Sequence, residues 1–152
     1  MNRFLILLFP LLLGACAGPT KTLEVKQFHL RDETLASSEE PMVRMEKLRR
    51  LHGAVTALER RGRLGQYYTL FWNDPTGVDQ GEVEVVFQYQ QGASASLVKR
   101  MTKKFPASDA AGTLEFAVIG DDYFIRGKVL TWKATLLRGN RELASRQSYL
   151  WR

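Results

Sequence analysis

Hydrophobic and polar residues alternate along much of the chain, as they do in β-strands with one buried face. The clearest alternation spans 82–90, where every second residue is apolar: Val83, Val85, Phe87 and Tyr89. Further strand patterns cover 22–30, 66–73, 113–119, 128–137 and 142–151. Turn-forming residues at 74–77 and at 138–141 separate consecutive strands. The pattern therefore predicts a mostly antiparallel β-protein.

Three segments depart from simple alternation. The strand at 22–30 changes phase near Gln27, which predicts an edge strand with a bulge. Apolar residues recur at helical spacing over 42–61, but Gly53 interrupts them, so a short helix and a strand with a turn both fit. Leu97, Met101 and Phe105 leave the same two alternatives for 96–105. We favour strands in both segments, because sheet edges need partners.

The fold predicted for 22–152 is all-β, a single antiparallel β-sandwich of immunoglobulin-like type. Trp72 and Trp132 are candidates to face each other in its core. Tyr123, which follows Gly120, Asp121 and Asp122, is similar to the tyrosine corner of immunoglobulin-like domains.

Composition limits the chemistry. The chain has 152 residues, 45% hydrophobic and 25% charged, which suits one globular domain. One cysteine excludes an intramolecular disulfide and any multi-cysteine metal site, and two histidines exclude a three-histidine metal cage. We therefore expect no metal and no cofactor.

The first residues differ from the rest. Arg3 is followed by an apolar run over 4–13, which is too short to cross a hydrocarbon core that requires about 20 residues of helix. It has the dimensions of a signal peptide, and the small residues Gly14 and Ala15 come just before Cys16. An uncleaved anchor, or a conventional signal with an incidental thiol, are the alternatives.

Leu13, Gly14, Ala15 and Cys16 resemble the lipobox of bacterial lipoprotein export signals. The resemblance implies cleavage by signal peptidase II between Ala15 and Cys16. It also implies lipid attachment, including a palmitate-type acyl chain, at Cys16. Two or more acyl chains anchor a protein stably, and a thioether sulfur has no thiol chemistry.

Three segments follow from this assignment: a signal peptide at 1–15, a lipidated tether at 16–21 and the sandwich domain at 22–152. The resemblance implies the bacterial cell envelope and, since Ala17 is not aspartate, the outer membrane with the domain facing the periplasm. The run 120–151 also resembles small, uncharacterised β-sandwich lipoproteins of bacterial envelopes, which implies no activity.

Catalytic residues are not indicated. A serine nucleophile needs a histidine base, and neither His29 nor His52 lies in a motif that supplies a serine and a carboxylate. We interpret Glu82 and Glu84 as the solvated side of a strand. Asp121 and Asp122 fit a turn better than a calcium site, which needs six or more ligands.

Positive charge and aromatic residues leave binding functions open. The formal charge is +6, with basic residues grouped at 44–63 and 99–104. We interpret both groups as solvated faces, with anionic lipids, the cell wall or envelope proteins as partners and not nucleic acid, which an exported protein rarely meets. A set of aromatic residues forms either the core or a ligand pocket: Tyr67, Tyr68, Phe71, Trp72 and Trp132.

From the sequence we therefore expect a membrane-anchored envelope lipoprotein that acts as a scaffold or interaction module and has no catalytic activity. A lipid- or glycan-binding module with an aromatic pocket is the alternative. An envelope hydrolase is a weaker third hypothesis.

Overall fold

Seven strands and three helices make up the part of the chain that a computed structural model describes, residues 21–32, 34, 39–94 and 96–152. The strands are β1 (Leu23–Leu30), β2 (Gly65–Asn73), β3 (Val83–Gln91), β4 (Lys99–Phe105), β5 (Ala111–Ile119), β6 (Val129–Arg138) and β7 (Arg141–Gln147). The helices are α1 (Pro41–Leu51), α2 (Ala57–Gly62) and α3 (Gly120–Arg126). A 3-10 turn at Gly92–Ser94 follows β3.

The strands form two antiparallel sheets, in the orders β1-β2-β5 and β4-β3-β6-β7. We call them the three-stranded and the four-stranded sheet. Constant-type immunoglobulin domains, with strands numbered along the chain, have the orders 1-2-5-4 and 3-6-7. This chain follows that arrangement except that its fourth strand pairs with the third. The predicted immunoglobulin-like sandwich is confirmed.

Aromatic rings from both sheets fill the core. The ring of Phe87 lies 4.6 Å from that of Tyr68, 5.5 Å from Phe116 and 6.1 Å from Trp132, as measured between centroids. The alternation over 82–90 is confirmed, because its four apolar residues are all buried in this cluster. Trp72 also belongs to the core, but its ring packs on Phe105, at 5.3 Å. The two tryptophans thus share one core and pack on different rings.

The phase change in β1 has a different cause from the predicted bulge. β1 pairs with β2 in continuous register from Leu23 to Leu30. Leu23 and Val25 fall on the core side, whereas Phe28 lies opposite Tyr67 on the outer side of the sheet. An apolar residue fits there because α1 covers this part of the outer face. Register shifts occur instead at Gln90/Gln91 in β3 and at Leu136/Leu137 in β6.

The preference for strands over 42–61 is wrong, because this segment forms α1 and α2. Pro41 stands at the start of α1, where a missing N–H costs nothing. Gly53, with φ 80°, lies between the two helices and interrupts neither of them. At α2 the Thr56 hydroxyl accepts from the Glu59 N–H, and the Glu59 carboxylate accepts from the Thr56 N–H, a capping box. Over 96–105 the favoured strand is confirmed as β4.

Two other expectations are corrected near the end of the chain. Asp121 and Asp122 lie in the first turn of α3 and not in a loop turn. Tyr123 lies between β5 and β6, but within α3, and its hydroxyl bonds the ring of His29 and not nearby backbone. The last strand ends at Gln147, four residues before the predicted end, although the Ser148 N–H still donates to the Trp132 carbonyl of β6 at 2.9 Å.

One buried arginine fastens an end of the sandwich. Arg138, at the end of β6, is 2% exposed, and its Nε donates to the Asp74 carboxylate at 2.6 Å. Its guanidinium also donates to three backbone carbonyls, those of Gly81 at 3.2 Å, Ala107 at 3.0 Å and Asp109 at 2.9 Å. We call this end, which is also where β1 begins, the Arg138 end. The loops that meet there are held by one side chain.

Candidate interaction surfaces

Helix α1 packs on the three-stranded sheet through its charged side. Lys47 and Arg50 are 5% and 7% exposed, although basic residues are rarely buried without partners. Three of its apolar residues, Met42, Met45 and Leu48, are instead 72%, 65% and 47% exposed, whereas Val43 and Leu51 are half-buried. The helix is therefore reversed relative to an ordinary amphipathic surface helix, whose apolar stripe faces the core.

Arg50 is buried because the sheet beneath it offers a ring and a carboxylate. Its guanidinium lies 3.9 Å from the Tyr67 ring centroid, a cation–π contact. Its Nη1 donates to Glu115 of β5 at 2.5 Å, and its Nε donates to Glu46, one turn earlier in α1, at 2.8 Å. A planar guanidinium that stacks and forms ion pairs at once suits this position better than lysine.

Tyr67 lies between the helix and the sheet. Its hydroxyl donates to the backbone carbonyl of Arg63 at 2.6 Å. Burial raises the pKa of Tyr67, so the phenol stays neutral. Since Arg50 covers the ring, Tyr67 belongs to the packed interior and does not line an aromatic binding face.

Lys47 fastens the other end of α1 to the segment that follows β1. Its ammonium donates to Asp32 at 3.2 Å, to the Thr34 carbonyl at 3.0 Å and to Glu39 at 2.5 Å. The pKa of Lys47 is raised, mainly by its hydrogen bond to Glu39. Lys47 and Arg50, two of the seven basic residues at 44–63, are therefore buried, and for these two the interpretation as a solvated face is wrong.

Arg44 and Arg49 remain on the outer side of α1. Successive helix residues are rotated by about 100°, which places Arg44 next to Leu48 at one border of the arc that carries Met42, Met45 and Leu48, and Arg49 inside this arc. The Arg49 side chain is 62% exposed while it pairs with Glu46 at 2.6 Å. The exposed side of α1 thus combines three apolar side chains with two arginines.

A second apolar area lies where α2 meets α3. Leu58 and Ile125 are largely exposed, and the guanidinium of Arg61 lies 4.5 Å from the Phe124 ring centroid. Leu58, Arg61 and Phe124 line a shallow depression of about 480 Å³ together with Asp121. Apolar and basic groups therefore occur together here too.

The second basic group lies on β4, the edge strand of the four-stranded sheet. Lys99 donates to Gln91 at 2.5 Å and to Asp122 at 2.6 Å, which ties β4 to α3. Arg100 forms an ion pair with Glu84 of β3 at 3.2 Å, and Lys104 forms one with Glu82, immediately before β3, at 3.4 Å. Glu84 lies on the polar side of the strand as predicted, whereas Glu82 precedes the strand.

Of the five aromatic residues named as pocket candidates, Trp132 lines a groove. This groove of about 350 Å³ lies between β1 and β7 and is also lined by Leu23, Val25, Arg146 and Gln147. Arg146 Nε closes part of it by donating to the Leu23 carbonyl at 3.1 Å. Tyr68 and Trp72 are core residues.

The two histidines lie apart. Arg31 Nε donates to Nδ1 of His29 at 3.2 Å, so Nε2 carries the proton and donates to the Tyr123 hydroxyl at 2.7 Å. Burial, and then the charges of Arg31 and Lys128, lower the pKa of His29, which keeps its ring neutral at neutral pH. His52 is exposed at the end of α1. The partners found for His29 are therefore a phenol and a guanidinium.

Within the described part of the chain, no cluster of three or more histidine, cysteine, aspartate or glutamate side chains has a geometry that could hold a metal ion. No helix in residues 21–152, apart from the few positions left undescribed, has the length and apolar character to span a bilayer. The lipid-attachment and cleavage residues Ala15 and Cys16 lie outside the described residues.

The reversed helix is the feature that sequence reasoning missed. The spacing of Met42, Met45 and Leu48 was visible, but apolar spacing alone does not say which side of a helix is buried. Lys47 and Arg50, on the opposite side, were a signal only in combination with Glu115, which is 65 residues away from Arg50.

In comparisons with known proteins, no protein-family model, no curated protein and no solved structure matches the chain.

Proposed function

We propose that this chain is a bacterial envelope lipoprotein, anchored through lipid on Cys16, whose β-sandwich acts as a non-catalytic interaction module. The anchor rests on the sequence from Leu13 to Cys16. The position of the first strand supports it, because β1 begins at Leu23 and the preceding Lys21 and Thr22 are exposed. A short tether can therefore leave the domain at its surface.

The observation that carries the interaction role is the reversed packing of α1. Burying Lys47 and Arg50 requires partners for each charge, and the sheet and loops supply them. The same arrangement leaves Met42, Met45 and Leu48 in solvent. Exposed apolar side chains grouped on one helix face mark sites of contact with a protein or a membrane. This face is therefore the interaction surface.

The anchor is tested by replacing its attachment residue. In cells fed labelled palmitate, we expect the unaltered chain to carry label and to fractionate with membranes, and Cys16→Ser to carry none. Ala15→Ser is the matched control, because it keeps a small residue before the cysteine and should retain the label. Equal labelling of the Cys16→Ser chain would contradict the proposal.

A second candidate function is ligand binding in the groove between β1 and β7. Trp132, Arg146 and Gln147 give this groove a ring edge, a cation and an amide, which are groups that bind sugars. Peptidoglycan fragments are the probe, and we expect Arg146→Gln to weaken binding while the exposed neighbour Arg141→Gln does not. Absence of saturable binding to the unaltered chain would contradict this candidate.

A further inference from the structure

We propose that the exposed side of α1 is a membrane-docking surface that binds anionic lipid bilayers. Met42, Met45 and Leu48 enter the interface, and Arg44 and Arg49 contact the lipid phosphates. The inference deepens the proposed function and rests on it in one respect: the anchor at Cys16 holds the domain beside a membrane.

The division of α1 into two sides carries the first step. Residues three apart lie on one side of a helix, so Met42, Met45 and Leu48 form a single stripe. Lys47 and Arg50 lie on the opposite side and are bound to the sheet and the segment after β1. Because these contacts fix the orientation of α1, the apolar stripe is held outward and cannot turn inward.

Charge along the stripe indicates what the surface binds. The sole acidic residue of α1 is Glu46, and its carboxylate is engaged by Arg49 and Arg50. Arg44 borders the stripe, and Arg49 lies within it while it shares the neutralisation of Glu46 with Arg50, so the exposed side of α1 carries no unpaired carboxylate of the helix. Helices that lie in membrane interfaces combine an apolar side with flanking basic residues, and their binding increases with the fraction of anionic lipid.

Shape favours a bilayer over a folded partner. The stripe is the convex side of a single helix, made of flexible methionine and leucine side chains, and the described depressions lie elsewhere, between β1 and β7, between β4 and β5 and beside α2. A bilayer surface accepts a convex helix without a complementary groove. An acidic protein, or a second copy of the chain, is the competing occupant and becomes an outcome of the test.

The first strand belongs to the sheet that α1 covers. β1 begins at Leu23 and is the edge strand of that sheet. Anchor and helix together make two attachments, which hold a domain in one orientation on the bilayer.

The test reads the local environment of α1. A chain with Cys16→Ser and Met45→Cys has one thiol, which is labelled with an environment-sensitive fluorophore. The control label is placed at Ser145→Cys, an exposed position on β7 of the other sheet. Each protein is mixed with phosphatidylcholine vesicles, with or without phosphatidylglycerol, that carry nitroxide-labelled lipid.

We expect nitroxide quenching at position 45 in the anionic vesicles and none at position 145. Arg44→Gln with Arg49→Gln should raise the lipid concentration for half-maximal quenching by roughly tenfold. Both arginines are on the outer side of the helix, so circular dichroism and the midpoint of thermal unfolding should stay unchanged.

Equal quenching at positions 45 and 145, or none at either, overturns the proposal. It is also overturned if the label at 45 becomes protected only by a soluble acidic polypeptide, or only as protein concentration rises without vesicles. Palmitate labelling of the natural Cys16 is read separately. Lipidation without quenching refutes the docking surface alone, and quenching without lipidation refutes the anchor alone.

Discussion

Arg138 and Arg50 are both buried arginines bound to carboxylates, but they stabilise different parts of the molecule. Arg138 lies inside the sandwich and joins Asp74 to three loop carbonyls at one end. Arg50 lies outside the sheets and joins a helix to the outer face through Glu115 and the Tyr67 ring. The Arg138 contacts hold together the loops at one end of the sandwich. The Arg50 contacts attach helix α1, whose other side stays in solvent.

The comparison teaches that a basic residue cannot be interpreted from its count or its neighbours in sequence. Arg138 lies in the hairpin between β6 and β7, where a surface charge would be expected, and is almost inaccessible. Arg50 belongs to a dense basic run that suggested a solvated face. In both cases the partner decides the role, and the partner is distant along the chain.

The largest expected effect is the loss of the Arg138 contact. Arg138→Met leaves the Asp74 carboxylate buried without its partner, which should lower the free energy of unfolding by about 3–5 kcal/mol. Denaturant unfolding measures the change. Arg141→Met, exposed at the start of β7, is the control and should change little. Adding Asp74→Asn should recover part of the loss, and a further loss would contradict this account.

A methyl group placed beside the same pair should have the next largest effect. A Cβ at Gly77 would lie 2.0 Å from an Asp74 carboxylate oxygen and 2.6 Å from Arg138 Nε. Gly77→Ala should therefore separate the pair and lower the free energy of unfolding by about 1–3 kcal/mol. Gly92→Ala is the matched control, since nothing lies within 4 Å of its Cβ position. Equal stability of the two variants would show that the loop yields without cost.

Arg50→Met should act on α1 and leave the sandwich intact. It removes a cation–π contact and two ion pairs from the face of the sheet, and should weaken the docking of α1 by about 1–2 kcal/mol. Hydrogen exchange should rise in peptides from 41–51 and stay constant in those from 129–138. Arg49→Met, which shares Glu46 but is exposed, should change neither peptide set. Global unfolding of the Arg50 variant would place the helix inside the cooperative core.

A fall in pH should produce the smallest difference in stability between α1 and the sandwich. Hydrogen bonds from Arg49 and then Arg50 lower the pKa of Glu46 below its ordinary 4.5, and the Thr34 hydroxyl and then Lys47 lower that of Asp32 below 3.8. Their contributions are complete above those ordinary values and are lost as the pH falls through the lower folded pKa values.

Below about pH 4 we therefore expect α1 to lose protection from hydrogen exchange, after correction for intrinsic rates, before β6 does. Glu46→Gln should remove the part of this effect that belongs to Glu46. Loss of protection in both regions at the same pH would contradict the distinction between them.

The fold was predicted correctly from the sequence where burial follows a strict period of two. Every second residue from Val83 to Tyr89 enters the core, so alternation alone assigned the inner face of β3. The prediction failed over 42–61, where the buried side of a helix is charged. That arrangement depends on Glu115 and on the Tyr67 ring, which only the tertiary fold brings beneath Arg50.

The candidate surface was predictable only in part. The spacing of Met42, Met45 and Leu48 was readable as a stripe, but its exposure follows from the ion pairs on the other side of α1. The ion pair between Arg138 and Asp74 could not be predicted from the sequence, because 64 residues separate its partners. Long-range partners for charged groups leave no local period, whereas apolar strand faces do.

Strand β4 also affects whether copies of the molecule aggregate at high local concentration. It is the outermost strand of the four-stranded sheet, and an unpaired strand edge is a template for further strands. Lys103 occupies a core-side position opposite Val85, between the charged Arg100 and Lys104. Two such edges would bring like charges together and bury a lysine. At high local density, the domain therefore resists edge-to-edge aggregation along this strand.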